Sequence, residues 1–428
     1  MKVTMKRFLA VCTLVLTASL ALRAQEEPKT GWVFTPMPNV NYSTDLGLGL
    51  GAYSDFFYYG DGSTYPNYLH HFGITATFAT KGSWYVHGMF ESVALIPHVR
   101  VAASVTYRDA YTNNFYGFNG IKSPFYEDLE LNTQTRTAWY TNRRRFFRAA
   151  LAFQGSLTDH LRWMAGGVFR RVWISDFSLK NYDSGKSLYN TYQSARLIDE
   201  DEAGGGISLE PKAGFVYDSR DVEMFPGKGI YGELYLVGNA DLKQWKYNYA
   251  QLVAHWRQYL SLWPGRIIFA YHLGLQHTLF GEIPFYNINE LATLSYLYEE
   301  NSGLGSRYSV RGYRYNRIAA AGYAWGNFEL RIIPFKFNLF RQHFDIVLSP
   351  FADLAAITKE YRLERQKSSQ PEDGVCIFQD LSRPLMASAG CGVKLHMNTN
   401  FIISVDFAKA FDPQLSDFTV GMGTTYVF

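Results

Sequence analysis

The sequence predicts an all-β protein, a transmembrane antiparallel β-barrel of sixteen strands. Three observations predict it. Apolar and polar residues alternate with period two over segments of about 10–14 residues, longer than the 5–6 usual for a soluble sandwich. Charged residues make up 18% of the chain and aromatics 17%, where an ordinary soluble domain carries roughly 25% charged residues. Connectors alternate between short turns and long loops, as the periplasmic and outer rims of a barrel require.

Residues 1–24 read as a secretory signal. Met1 to Arg7 is basic, Phe8 to Leu22 is apolar, and the small residues Ser19, Ala21 and Ala24 fit a cleavage site. Cleavage is expected after Ala24, or after Ala21. Lys2, Lys6, Arg7 and Arg23 leave with this segment, so 37 basic residues face 38 acids over 404 residues, a net charge of −1. That excludes a strongly basic nucleic-acid binder, and export excludes a cytoplasmic address. Beyond the signal no apolar run approaches the roughly 18 residues of a spanning helix. Residues 25–45 read as a short periplasmic segment and 46–428 as the barrel.

Alternation places strands near 46–58, 69–80, 83–94, 98–109, 144–156, 160–176, 206–218, 228–239, 245–260, 265–278, 322–334, 344–356, 386–397, 400–411 and 417–428. These are fifteen, and a single-chain bacterial barrel has an even number, so one more is expected within 111–143, where the pattern is broken. In 266–276, Ile267, Phe269, Tyr271, Leu273 and Leu275 share one face, opposite Ala270, His272, Gly274 and Gln276. In 323–332, Tyr323, Trp325, Asn327, Glu329 and Arg331 share the polar face, which in a barrel points to the lumen. Long connectors fall at 177–205, 279–321 and 357–385.

The first of these strands carries Gly47, Gly49 and Gly51. It lacks the following helix of a nucleotide loop. Glycine weakens a strand, so a weak seam is expected where this strand closes on the last one. The last strand ends with Tyr426 and Phe428, a pattern similar to the targeting signal of outer-membrane barrels.

Four motifs follow in order: Asp218-Ser219-Arg220-Asp221 with Phe225-Pro226-Gly227-Lys228-Gly229; Ser309-Val310-Arg311-Gly312-Tyr313-Arg314-Tyr315; Gly326-Asn327-Phe328-Glu329-Leu330-Arg331; and Pro350-Phe351-Ala352-Asp353. Together they resemble the BamA/TamA-type assembly and translocation barrels, the bacterial surface-antigen family, over roughly residues 46–428. The resemblance implies a sixth outer loop folded into the lumen, carrying Val310, Arg311, Gly312 and Tyr313. It implies inner-wall partners at Phe351 and Asp353, with Glu329 as a second acceptor for Arg311. A guanidinium meets a carboxylate through two parallel hydrogen bonds. The best-known members carry periplasmic POTRA domains ahead of the barrel. None reads from 25–45, so a separate periplasmic or outer-membrane partner is expected to deliver clients.

Weaker signals remain. Asp199-Glu200-Asp201-Glu202 is expected to be a solvated acidic loop, since calcium-loop spacing is absent. Some of Arg143, Arg144, Arg145 and Arg148 are expected to line the lumen, where a charge is cheaper than against lipid. Cys391 is expected to face lipid and Cys376 to lie in an outer loop, both as free thiols. Esterase, zinc-protease and redox motifs are absent, so no enzyme, metal or cofactor is expected. The sequence thus predicts an outer-membrane barrel assisting insertion or translocation of proteins, or of lipids. Its expected partners are outer-membrane lipid, lipopolysaccharide and unfolded barrel clients. The alternative is a passive channel or receptor for small solutes, with 279–321 as plug.

Overall fold

The computed structural model describes residues 29–428 except 44–46, 66, 131–137, 178–185, 223–224, 293–299, 302, 306–308, 340–341, 370–374, 398–400, 413, 415–417 and 424–427. The expected signal at 1–24, and Tyr426, lie outside the described residues. Sixteen strands close into one antiparallel barrel in chain order. They are β1 (Trp32–Ser43), β2 (Gly47–Tyr58), β3 (His70–Ala79), β4 (Trp84–Ile96), β5 (Val99–Asn114), β6 (Thr141–Ser156), β7 (Leu161–Asp176) and β8 (Ile207–Asp218). The second half comprises β9 (Gly229–Asp241), β10 (Tyr249–Trp263), β11 (Ile267–Gly281), β12 (Gly322–Leu339), β13 (Gln342–Lys359), β14 (Met386–Met397), β15 (Phe401–Ala410) and β16 (Phe418–Gly423).

The count is the expected one, but one strand lies elsewhere. The segment 111–143 holds no extra strand among the described residues. β5 and β6 run into it from both sides, and the loop between them carries the single turns Gly120–Lys122 and Glu127–Leu129. The additional strand is β1, inside the segment expected to precede the barrel. Pro36 and Pro38 disguise it, because proline cannot donate to a ladder and belongs on an edge. Gly31 donates its N–H to Gly60 O at 2.8 Å and accepts from Tyr59 N–H at 2.9 Å. Bonding alternates along a strand, so odd-numbered residues of β1 bond β2. Pro36 and Pro38 therefore turn their nitrogens to the opposite edge.

That edge is the seam. β1 pairs with β2 at twelve positions. Among the described residues it pairs with β16 only at Tyr42–Met422 and Ser43–Gly421. The expectation that Gly47, Gly49 and Gly51 form the seam is corrected: they lie in β2, one strand away. A Cβ at Gly51 would come within 2.0 Å of Ala76 O, so this glycine serves close approach of β3.

Side chains obey the expected phase. Leu234, Leu236 and Leu273 stand outward and exposed, while Glu233, Tyr235, His272, Asn327 and Glu329 are buried inward. The connectors 115–140, 177–206, 282–321 and 360–385 all leave one end, which the length rule makes the outer end. There they pack into an apolar dome. Phe118 sits edge-on to Tyr192 and Tyr361, at 4.9 and 4.8 Å between ring centroids. Gln366, from the helix Leu363–Ser368, donates to Ser123 Oγ beneath them at 3.0 Å.

The acidic run is not solvated as expected. It forms the short helix Glu200–Ala203 and ties the dome together. Glu202 is buried, pairs with Arg362 and accepts the Phe285 N–H at 2.9 Å. Burial pushes its carboxyl above the usual range, opposed by Arg362. Asp199 and Asp201 take up Lys246 at 3.1 and 3.0 Å. The arginine cluster splits by parity. Arg144 and Arg148 are buried in the lumen, whereas Arg143 and Arg145 alternate to the outer face.

Cys376 and Cys391 are free and exposed. Cys376 lies in the outer connector after β13, and Cys391 lies on the outward face of β14. A membrane-impermeant maleimide on intact cells is expected to label Cys376. Cys391 is expected to react only after detergent extraction. Labelling of Cys376 solely in broken cells would reverse the assigned orientation.

Candidate functional site

The connector between β11 and β12 turns into the lumen and brings Arg311 against the wall. Arg311 is 2% exposed, and Glu329 and Asp353 are fully buried. Its Nε and Nη2 donate to Asp353 Oδ2 and Oδ1, both at 2.8 Å, the two-pronged geometry that fixes a guanidinium plane. Its backbone N–H also donates to Asp353 Oδ2 at 2.9 Å. Nη1 donates to Glu329 Oε2 at 3.1 Å. The guanidinium carbon lies 3.4 Å from the centre of the Phe351 ring, so the cation is also stacked.

The neighbouring residues hold the loop to successive strands. Val310 is buried with Ile121, Tyr323, Trp325 and Met386. Gly312 has φ +89, and a Cβ there would stand 2.9 Å from Ala410 N, so the tip presses on the backbone of β15. Tyr313 donates its hydroxyl to Ala387 O on β14 at 2.9 Å. Asn327 donates to Ser309 O. The short motif thus touches β12, β13, β14 and β15.

Several members of the cluster are missing from the sequence reading of the site. Lys394 pairs with Glu329 Oε1, and Arg331 Nε reaches the same oxygen at 3.1 Å. Asp406 Oδ1 lies 3.9 Å from Arg311 Nη1. Three cations and three carboxylates therefore share the lumen wall. Strand phase already directs Glu329, Arg331, Lys394 and Asp406 inward. It does not show that β12, β14 and β15 bring them to one height. Arg317, six residues beyond Arg311, is buried without a carboxylate partner among the described residues. It donates to the carbonyl oxygens of Gly120 and Ser123 at 2.9 and 2.8 Å, and burial pulls it down to about 10.

The sequence model of the Omp85 superfamily domain matches residues 71–426, most of the chain. The chain belongs to the Omp85 superfamily. It is an outer-membrane β-barrel protein of bacteria. The Omp85 barrel is similar in fold to BamA from Haemophilus ducreyi lacking POTRA domains 1–3, at 16% identity and TM-score 0.59, over 93% of this chain and 70% of that one. It is also similar to CdiB from Escherichia coli, at 10% identity and TM-score 0.53, over 94% of this chain and 64% of that one. No curated protein sequence matches it.

Within this Omp85 barrel, Phe428, read from the sequence as the end of the last strand, is directed inward. Its ring lies 5.6 Å from His272, and its carbonyl accepts from Arg331 Nη2 at 3.0 Å. Both partners point inward, so Phe428 stands in the lumen. The sequence gives this no signal, because it depends on a cation supplied by β12. The turn between β8 and β9 does likewise at the inner end. Asp221 Oδ1 accepts the N–H groups of Val222 and Gly227, both at 2.9 Å, and Phe225 packs 4.8 Å from His396.

Proposed function

We propose that this barrel inserts or translocates polypeptide at the outer membrane through the β1–β16 seam. The observation that carries the proposal is the β16-facing edge of β1, where Pro36 and Pro38 have no N–H to give and where, among the described residues, two positions pair against twelve on the other edge. Backbone groups left unpaired in hydrocarbon cost several kcal/mol each, so such an edge is a template for an incoming strand. Pro36 and Pro38 offer no N–H to a strand on this edge. Arg311 and its neighbours pin β12 to β15 together, which leaves the seam as the compliant part of the wall. The outer connectors pack against one another through a shared apolar cluster, which supports this reading over a passive channel.

Reconstitution tests it. Liposomes carrying the purified chain are incubated with a urea-unfolded barrel client, and folding is followed by protection from protease. Faster folding than in empty liposomes is the expected result. Equal rates, with or without a co-purified partner, defeat the proposal.

A further inference from the structure

The outer wall of β3 to β8 carries an apolar groove of about 1010 Å³. Its floor is made of small residues that face lipid: Gly88, Ala103, Ala149, Ala165 and Gly167. Its banks are larger, with Phe72 and Ile74 on one side and Phe169 and Leu209 on the other, each 38–53% exposed. A Cβ at Gly88 would meet nothing within 4 Å, so the depression is open space and not a packing contact.

Cations stand directly above the groove, towards the outer end. Cross-strand register aligns Trp84, Asp109, Arg145 and Trp173 in one outward row. The next row down is Val86, Tyr107, Phe147 and Arg171. The third row is Gly88, Val105, Ala149 and Phe169, at the head of the groove. Same-face rows are two residues apart, about 7 Å. Arg143 is satisfied by Asp109 through two nitrogens. Among the described residues Arg145 and Arg171 have no carboxylate partner. Arg171 only stacks on Trp173, at 5.3 Å.

Two unneutralised guanidinium groups on a lipid-facing wall are unfavourable unless an anion from the bilayer meets them. Trp84, Trp173 and Tyr107 mark the headgroup level in the manner of an aromatic belt. We infer that this face binds a phosphorylated, multiply acylated lipid of the outer leaflet, its phosphate held by Arg145 and Arg171 and its chains lying in the groove below. Charge complementarity fixes the headgroup, since guanidinium donors match phosphate oxygens. The width of the groove, spanning several strands, fits more than one chain.

The test uses the full chain in detergent and native mass spectrometry. The probes are hexa-acylated bisphosphorylated lipid A, its dephosphorylated form, and phosphatidylcholine. Wild type is expected to retain the phosphorylated probe and neither of the others. Arg145→Gln with Arg171→Gln is expected to lower retention by about tenfold or more, the scale of losing charge-assisted hydrogen bonds. Gly88→Leu with Gly167→Leu fills the groove and leaves both cations in place, and is expected to lower retention similarly. Unchanged heat-modified gel mobility confirms that each variant is folded. Retention at the wild-type level in either folded variant overturns the inference, as does equal retention of the dephosphorylated probe.

Discussion

Arg311→Ala is expected to produce a large loss of barrel stability. The substitution leaves Asp353, Glu329 and Asp406 facing only Arg331 and Lys394 in a buried lumen, one negative charge in excess. Removing one partner of a buried ion pair costs about 3–5 kcal/mol, because the remaining charge cannot recover its water. Stacking on Phe351 and the hold on the loop are lost as well. Arg311→Lys keeps the charge but not the planar fork, so an intermediate loss is expected. The measurement is the temperature at which the folded band on a semi-native gel converts to the unfolded one. The insertion assay is expected to fall in the same order, wild type above lysine above alanine. An alanine variant that melts and functions like wild type would mean that the cluster is dispensable.

The second large effect is expected from locking the seam. Tyr42 and Met422 are register partners, and Cα atoms of such partners lie roughly 4.5–5.5 Å apart, within the span of a disulfide. Tyr42→Cys with Met422→Cys, in a background with Cys376 and Cys391 replaced by serine, is therefore expected to close under oxidation. The oxidised protein is expected to abolish client folding in liposomes, and reductant is expected to restore it. Heat stability should rise or stay level in the oxidised form, which separates a locked seam from a damaged barrel. Full activity with the bond formed would place client passage elsewhere.

Much of this architecture can be read from residue types alone. Period two orients Glu329, Asp353, Lys394 and Asp406 inward without any coordinates, since successive side chains must leave opposite faces. The position of the loop motif between β11 and β12 is also legible. The count survives because the strand expected in 111–143 and the unrecognised β1 both precede β6. β1 escapes because proline argues against a strand, and only the edge to which each proline nitrogen turns resolves the conflict. Asp199 to Glu202 looks solvated because its partners Lys246 and Arg362 lie far away in sequence. Phe428 reads as the plain end of the last strand for the same reason: its cation is remote in the chain.

The prolines of β1 have a further consequence. On the edge facing the seam, Phe34 and Val40 offer both a donor and an acceptor, whereas Pro36 and Pro38 offer acceptors only. An incoming strand can saturate every carbonyl on this edge with its own N–H groups. Its carbonyls opposite the prolines receive nothing in return. Such a hybrid ladder is lopsided, so under the proposed function a docked strand would gain by trading this edge for its own neighbour. In the proposed insertion this asymmetry would favour release of the docked strand, a bias set by two imino acids of the covalent chain.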